Sequence, residues 1–345
     1  MDELKKLPQL LLPWYYVNRR DLPWRADREP YHVWLSEIML QQTRVEAVKG
    51  YYARFLAALP TLESLALCPD DALYKLWEGL GYYSRVRNLK KAAGVIMERH
   101  GGCFPKAYEE ILALPGIGAY TAGAISSICY DLPTPAVDGN VLRVISRLTD
   151  DNTPIDLPAY KKTVEKALSG VYPANAGDFT QALMELGATV CGPNRKPDCE
   201  SCPCERICKG YLHGTAQSLP VKSGKKPRRE ENMTVFVLSC GGQYALEKRP
   251  DKGLLAGLWQ FPHAPGHLEV AQAIEALEKL GIHVRQVHRQ TEKNHIFTHI
   301  QWNMRCFYME VRETAGPYVW MPEAEVETRA ALPTAFRQFW EEHHV

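Results

Sequence analysis

The chain reads as a mainly helical region over residues 1 to about 212, followed by an α+β domain of about 110 residues. Three observations predict this. From Tyr31 the apolar residues Tyr31, Trp34, Ile38, Val45, Val48, Tyr52, Phe55 and Leu59 recur mostly at steps of three and four, the period of a helix face. After Leu212 the composition shifts to Gly, Ser, Pro and basic residues, as in a linker. From Met233 the pattern turns to strands: Val235, Val237 and Tyr244–Leu246 flank Gly241-Gly242, a hairpin signature.

In chain order, more than one helix shares the stripe that begins at Tyr31. Further helices are expected at 71–80, 85–99, 107–113, 119–130, 141–149, 159–169 and 178–190, with Pro and Gly punctuating them at 60, 101–105, 115–118, 133–135 and 173. Residues 214–231 are expected to be an exposed linker carrying Lys222, Lys225, Lys226, Arg228 and Arg229. That run is either a solvated charge cluster or a phosphate contact. Beyond it, a helix at 269–280 ends at Gly281, a residue suited to a C-cap, and strands follow at 283–291, 296–310 and around 317–320. No internal repeat is present. The domains are thus 1–213, a linker 214–231, and 232–345.

The length of 345 residues suits two domains. With 46% hydrophobic and 23% charged residues, the composition excludes disorder, collagen and a small disulfide scaffold. No apolar run approaches the ~20 residues that span a bilayer. The N-terminal MDELKKLPQLLLPWYY lacks a small-residue cleavage pattern, so no signal peptide is expected. The expected location is cytoplasmic, nucleoid-associated if bacterial, as a monomer without a membrane partner. The balance of 41 basic against 40 acidic residues offers no global attraction for nucleic acid, and residues 1–220 hold 25 of each. A polyanion would have to be held by backbone amides and local basic groups, with few phosphate contacts and a shallow salt dependence.

Ten cysteines are present, and Cys191-x7-Cys199-x2-Cys202-x5-Cys208 forms a tight cluster. Without a signal peptide, such a cluster reads as a reduced metal site. Four thiolates hold either a tetrahedral zinc or an iron–sulfur cluster. A zinc ribbon shows two separated C-x2-C knuckles, whereas this loop has one, and its compact asymmetric spacing favours the cluster. Cys204 is expected to be a bystander. Arg195, Lys196, Arg206 and Lys209 in the same loop make a basic surface suited to a polyanion.

Leu114-Pro115-Gly116-Ile117-Gly118 lies between two expected helices. Two glycines there permit a tight turn and close backbone approach, and the second helix points its positive end the same way. This suits a phosphate bound without sequence readout. Two carboxylates complete the set. Glu37 borders the apolar stripe in Trp34-Leu35-Ser36-Glu37-Ile38-Met39-Leu40, where desolvation would raise its pKa. Asp138 directly precedes the helix at 141–149, where a helix N-terminus would keep it ionised. Carboxyls with pKa values pushed apart serve as acid and anionic stabiliser in glycosidic cleavage.

Leu22-Pro23-Trp24-Arg25, Ser36–Thr43 (SEIMLQQT), Gly79-Leu80-Gly81-Tyr82-Tyr83-Ser84-Arg85, the Gly116–Gly118 turn, Val137-Asp138-Gly139-Asn140 and the cysteine loop occur in that order. Together they resemble the MutY-type adenine DNA glycosylases of the helix–hairpin–helix superfamily. The resemblance implies a six-helix barrel subdomain, an iron–sulfur subdomain with a 4Fe–4S cluster on Cys191, Cys199, Cys202 and Cys208, and excision of adenine opposite 8-oxoguanine or guanine in duplex DNA. It implies Glu37 as the acid that protonates adenine and Asp138 as the carboxylate that stabilises the oxocarbenium ion. Tyr120 and Asn140 would support that carboxylate. Arg20, Arg25 and Gln181 would surround the flipped adenine, and Gln42 and Tyr82 would wedge into the duplex. Leu114, Gly116 and Gly118 would bind the backbone. The gap of seven residues between Cys191 and Cys199 departs from the commoner six, and one extra loop residue is cheap.

The second domain is similar to a Nudix-like 8-oxoguanine-recognition domain, through Gly253-Leu254-Leu255-Ala256-Gly257-Leu258-Trp259-Gln260-Phe261-Pro262. Phe297-Thr298-His299 matches the loop that reads the damaged base, with Thr298 where many members carry Ser. The helix from Glu269 lacks the Glu-rich pattern that holds Mg²⁺ in Nudix pyrophosphatases, which argues against hydrolysis of free nucleotides. Where the endonuclease III branch carries a Schiff-base Lys, this chain has Tyr120, so the expected glycosylase is monofunctional. The rival readings are a bifunctional glycosylase/lyase, a non-catalytic lesion-binding protein with structural zinc, and a nucleotide pyrophosphatase.

Overall fold

The computed structural model describes residues 2–193, 196–224 and 227–343, so the expectations that fall on Arg195, Lys225 and Lys226 lie outside the described residues. The chain divides into two compact units, Met1–Leu67 with Arg87–Lys225, and Cys68–Val86 with Lys226–Val345. The stretch Cys68–Val86, expected within the first domain, thus sorts with the second unit.

The first unit is helical. The stripe from Tyr31 resolves into Pro30–Leu40 and Val45–Ala58, the former opened by a proline whose missing N–H costs nothing at that position. Leu7–Asn18 adds a helix ahead of these, burying Leu7, Leu11 and Tyr15 at i, i+4 spacing. Tyr108–Leu112 and Ala119–Tyr130 flank the glycine turn. Gly116 has φ +75°, and a Cβ there would lie 2.4 Å from Asn88 Cβ, so only glycine fits. Gly118 differs from expectation: its φ is −98° and an added Cβ would meet nothing within 4 Å. Its missing side chain therefore leaves open space beside the helix start and does not make the turn.

Gly139–Thr149 and Ala176–Thr189 pack against each other, and Gly187 permits it, since a Cβ there would lie 2.7 Å from Asn140 Cβ. Their apolar faces join Leu7, Leu11, Val164 and Cys204 in one core. The expected exposed linker is corrected in its first half. Ala216 and Leu219 are buried, Arg147 Nε donates to Leu219 O at 2.9 Å, Ile155 N to Val221 O at 3.0 Å, and Ser223 N to Asp156 Oδ1 at 2.9 Å. Three partners distant in sequence hold this segment on the first unit.

The second unit is built on a mixed sheet. Its strands are β1 (Arg229–Cys240), β2 (Gln243–Lys248), β3 (Trp259–Gln260), β4 (His263–Pro265), β5 (Val284–Ile296), β6 (Ile300–Val311) and β7 (Val319–Pro322). The order is β3-β2-β1-β6-β5, with β4 pairing β1 and β7 pairing β2. β1 and β2 form the expected hairpin, with Gly241 and Gly242 both at positive φ, as a two-residue turn requires. β1 runs parallel to β6, and its residues Met233–Leu238 are all buried because both sheet faces are covered. Val270–Glu278 covers one face, with Ala273 and Leu277 against Phe236, Leu238 and Phe307. Thr334–Trp340 covers the other, with Phe336, Phe339 and Trp340 against Val235, Val237 and Met304. The break expected at 292–295 is absent: β5 continues to Ile296 because it is paired along its length with β6, and the turn falls at Phe297-Thr298-His299. In the same unit, Asp70–Trp77 is anchored by Lys248 on Asp71 at 2.7 Å and by the Leu332 N–H on Glu78 at 3.0 Å.

Candidate active site

One cavity of about 1180 Å³ in the first unit collects Arg20, Arg25, Glu37, Gln42, Tyr120, Asp138, Asn140 and Gln181, which are far apart in sequence. Pro30–Leu40 is buried on all sides, so Glu37 is only 6% exposed. Burial pushes its carboxyl up to about 7, helped by the charge of Asp138 and opposed by Tyr120 and Arg25. Tyr120, second in its helix, donates its hydroxyl to Glu37 Oε2, where the expectation placed it on Asp138. Its own pKa lies well above the ordinary range through burial and the neighbouring carboxyls, so it stays a donor.

Asp138 caps Gly139–Thr149, accepting the Val141 N–H at 2.8 Å and the Asn140 side-chain amide at 2.7 Å. Burial still raises its pKa, against those donors and Arg143. Both pKa values thus rise, because the helix N-terminus offsets the burial of Asp138 only in part. Asn140 Oδ1 accepts from Arg143 at 2.9 Å, and the same guanidinium donates to Gly187 O at 2.7 Å and Cys191 O at 2.8 Å. A hydrogen-bonded path thus joins Asp138 to the cysteine loop.

Sequence reasoning missed Arg143, Arg147 and Glu185. Glu185 is buried in Ala176–Thr189 and pairs with Arg20 Nε and Arg25 NH2, each at 2.7 Å. The available signal was a lone carboxylate inside the apolar run Ala182-Leu183-Met184-Glu185-Leu186. Its pKa is pushed up by burial but held below the ordinary value overall by the bonds and charges of Arg20 and Arg25.

Cys191, Cys199, Cys202 and Cys208 line a second, apolar cavity, whereas Cys204 is buried in the hydrophobic core. Among the described residues, no three His, Cys, Asp or Glu side chains are close enough to hold a single ion. Arg147 donates to Cys191 Sγ at 3.2 Å and to Gly192 O at 3.1 Å, bracing one end of the loop. Four thiols about one cavity, with a guanidinium beside one sulfur, are a donor set that fits an iron–sulfur cluster. In the basic loop, Lys209 is engaged with Glu3 at 3.2 Å, Arg206 is exposed, and Lys196 lines the large cavity.

Leu114, Gly116 and Gly118 form the turn described above and do not line that cavity. Gln42 and Tyr82 are exposed and both hold left-handed φ, +58° and +47°, a conformation that bulky residues rarely adopt. Phe297, Thr298 and His299 form the β5–β6 turn. The Phe297 ring packs on Trp302 at 4.8 Å, and the Thr298 hydroxyl lies 3.3 Å from that of Tyr82, within the same unit.

The hairpin-bearing helical unit with its carboxylate-lined cavity matches the class of helix–hairpin–helix base-excision glycosylases. Residues 35–173 match the HhH-GPD superfamily of base excision DNA repair proteins, and residues 234–342 match the NUDIX domain. The adenine DNA glycosylase of Homo sapiens is 35% identical over 399 residues, spanning 95% of this chain and 72% of its own length. That of Buchnera aphidicola subsp. Baizongia pistaciae is 34% identical, spanning 85% and 82% respectively. A thermostable thymine-DNA glycosylase superposes with a TM-score of 0.56 at 30% identity, over 61% of this chain and 98% of its own. An endonuclease III–DNA complex shares the fold, with a TM-score of 0.51 at 22% identity over 61% of this chain and 97% of its own. The chain belongs to the adenine DNA glycosylase family. It is a base-excision enzyme whose helical domain precedes a Nudix-like domain, and no described helix is long and apolar enough to cross a membrane.

Proposed function

We propose that the enzyme hydrolyses the N-glycosidic bond of adenine paired with 8-oxoguanine or guanine in duplex DNA, acting as a monofunctional monomer. The observation that carries this is Glu37 and Asp138 opening on one cavity, each with its own polar partner. Glu37, holding a proton near neutral pH, donates it to the base and thereby makes the base a better leaving group. Asp138 faces the positive charge that develops on the sugar, steadied by the Val141 amide and Asn140. Tyr120 orients Glu37. Arg20, Arg25 and Gln181 enclose the base, while Gln42 and Tyr82 offset the cost of unstacking it. Leu114, Gly116 and Gly118 hold a backbone phosphate, and Phe297, Thr298 and His299 read the opposing base.

Cys191, Cys199, Cys202 and Cys208 would hold a 4Fe–4S cluster. When bound, it supplies four iron–thiolate bonds that close the loop. Arg143 and Arg147 tie that loop to Asn140 and to the segment at Leu219.

Excision from duplexes that differ only in the base opposite adenine tests the reading. Removal should be faster opposite 8-oxoguanine and guanine than opposite thymine; equal rates would sink the assignment. The partners of Glu37 and Asp138 described above include a phenol, an amide and a backbone N–H, and no amine. Borohydride added during turnover should therefore trap little enzyme–DNA adduct. Efficient trapping would favour the bifunctional reading.

A further inference from the structure

Asp138 reaches the cavity at the end of Thr134-Pro135-Ala136-Val137, a segment without regular structure between Ala119–Tyr130 and Gly139–Thr149. Three hydroxyls from separate parts of the first unit meet behind this segment. The Ala136 N–H donates to the Tyr172 hydroxyl at 3.3 Å, and that hydroxyl lies 3.0 Å from Thr180 Oγ1 on Ala176–Thr189. Thr180 donates to Ser127 Oγ at 2.8 Å. Ser127 donates to the carbonyls of its own helix, Gly123 O at 2.7 Å and Ala124 O at 3.2 Å. A hydroxyl has one proton. Thr180 directs its proton to Ser127, so Tyr172 is the donor to Thr180. The chain therefore runs one way, from the Ala136 N–H through Tyr172, Thr180 and Ser127 to Gly123 O. It closes on itself, because a Cβ on Gly123 would lie 2.3 Å from Pro135 O: the helix turn that ends the chain presses on the segment where the chain begins.

We propose that Tyr172, Thr180 and Ser127 are positioning residues for the excision reaction, their ordered hydroxyl chain fixing the Ala136 backbone and so the direction in which Asp138 faces the substrate sugar. The three stand outside the cavity lining, which includes Ile128, Val137 and Asp138, so they act through Asp138 and not on the substrate. Ser127 and Thr180 are buried, and Ala136 packs with Val33, Ala124 and Ile128 in a small apolar core. Apolar side chains would fill such a space without the cost of burying polar groups. What hydroxyls add is direction: apolar contact lets a segment slide along a helix, whereas a bond to one N–H fixes its register. Close helix approach brings the hydroxyls within reach, since a Cβ on Gly177 would lie 2.8 Å from Ser127 O, and the Tyr172 ring is held edge-on to Phe179 at 5.0 Å. Ala119–Tyr130 thus sets both carboxylates, Glu37 through Tyr120 and Asp138 through Gly123 and the chain that ends on it. The proposal rests on the glycosylase reading and deepens it, by naming what aims the carboxylate at the sugar.

The test uses the full-length protein with its cluster and a duplex holding adenine opposite 8-oxoguanine. A displacement of about 1 Å at a reacting group costs up to about 10²-fold, so Tyr172→Phe and Thr180→Val should each lower the single-turnover rate by about 10-fold or more, with duplex affinity unchanged. Combining them should lose no more than the worse single variant, because either one alone breaks the chain. Thr180→Val keeps the volume and loses the hydroxyl, whereas Thr180→Ser keeps the hydroxyl and leaves a gap. Thr180→Ser should therefore recover most of the rate that Thr180→Val loses, the reverse of what packing alone predicts. Wild-type rates in the Phe and Val variants, or a Thr180→Ser rate as low as that of Thr180→Val, overturn the proposal. The carboxyl-carbon NMR resonance of Asp138, identified by its loss in Asp138→Asn, reports the same geometry without substrate. It should move in the Phe and Val variants and return in Thr180→Ser. A wild type that excises adenine, with rate and resonance unmoved in the variants, removes the positioning role alone. A moved resonance in a protein that does not excise adenine removes the substrate assignment and leaves Asp138 aimed by the chain.

Discussion

Glu37→Gln should lower the single-turnover excision rate by about 10²–10⁴-fold, the usual contribution of a positioned general acid, and Asp138→Asn should lose at least as much. The pH profile distinguishes this from simple damage to the site. With its carboxyl raised by burial to about 7, Glu37 is protonated below that pH and ionised above it, so the wild-type rate should fall as pH rises through about 7. Asp138 must be ionised, and burial lifts its pKa above the ordinary Asp range, so an acid limb should appear higher than a free Asp would place it. Stability runs in a matching direction. A carboxyl raised on folding stabilises fully below its unfolded value, near 4.5, and that contribution is lost as pH climbs to about 7. Above pH 7 the wild type therefore carries a cost on the order of 3 kcal/mol that Glu37→Gln does not. The variant should melt higher than wild type at pH 8 and show no such gain at pH 5. Equal melting shifts at both values would contradict a buried, proton-holding Glu37.

That double signature was only half legible in the sequence. The fragment around Glu37 shows period and flanking residues, which put the carboxylate at the edge of an apolar stripe. It is buried because other elements enclose Pro30–Leu40 on every side, and only the tertiary fold supplies them. Tyr120 was legible as a site residue but not as the partner of Glu37, because chain spacing does not say which of two carboxylates lies across a cavity. Helix boundaries marked by glycine, such as the end of Val270–Glu278 before Gly281, and the Gly241-Gly242 hairpin came close to expectation because their causes are local. The short helices Glu323–Arg329 and Thr334–Trp340 were not read. Each is only seven residues long, begins just after a proline, and is held by the sheet it covers. Residues 214–223 looked like a linker because of their composition, and they fold because Arg147, Ile155 and Asp156 bond to their backbone.

Glu185 is the most consequential residue that pattern reading passed over, and its replacement should have the largest effect on stability of any change in the site. Its two oxygens accept four bonds: from the Arg20 backbone at 3.1 Å, from Arg20 Nε and NH2 at 2.7 and 3.0 Å, and from Arg25 NH2 at 2.7 Å. Glu185→Leu leaves the largely buried Arg25 guanidinium facing the partly exposed one of Arg20. Breaking a fully buried pair costs about 3–5 kcal/mol, and with Arg20 partly solvated the loss here should fall toward the lower end, each kcal/mol being worth about 2–4 °C of melting temperature in a unit of this size. Glu185→Gln keeps the shape and an acceptor oxygen and should lose less. The cost lies in the stranded cations and not in the lost attraction, so adding Arg25→Leu to Glu185→Leu should restore part of the stability while leaving excision low, because Arg25 also lines the cavity. Since Glu185 is ionised in the fold with a lowered pKa, its contribution is present above the unfolded value near 4.5 and fades as pH falls. The melting difference between wild type and Glu185→Leu should thus shrink on acidification, opposite in sense to Glu37→Gln. Thermal melts of the variants at pH 4 and pH 7 check both claims. A Glu185→Leu protein within 1 kcal/mol of wild type at pH 7 would show that solvent, and not Glu185, balances Arg20 and Arg25.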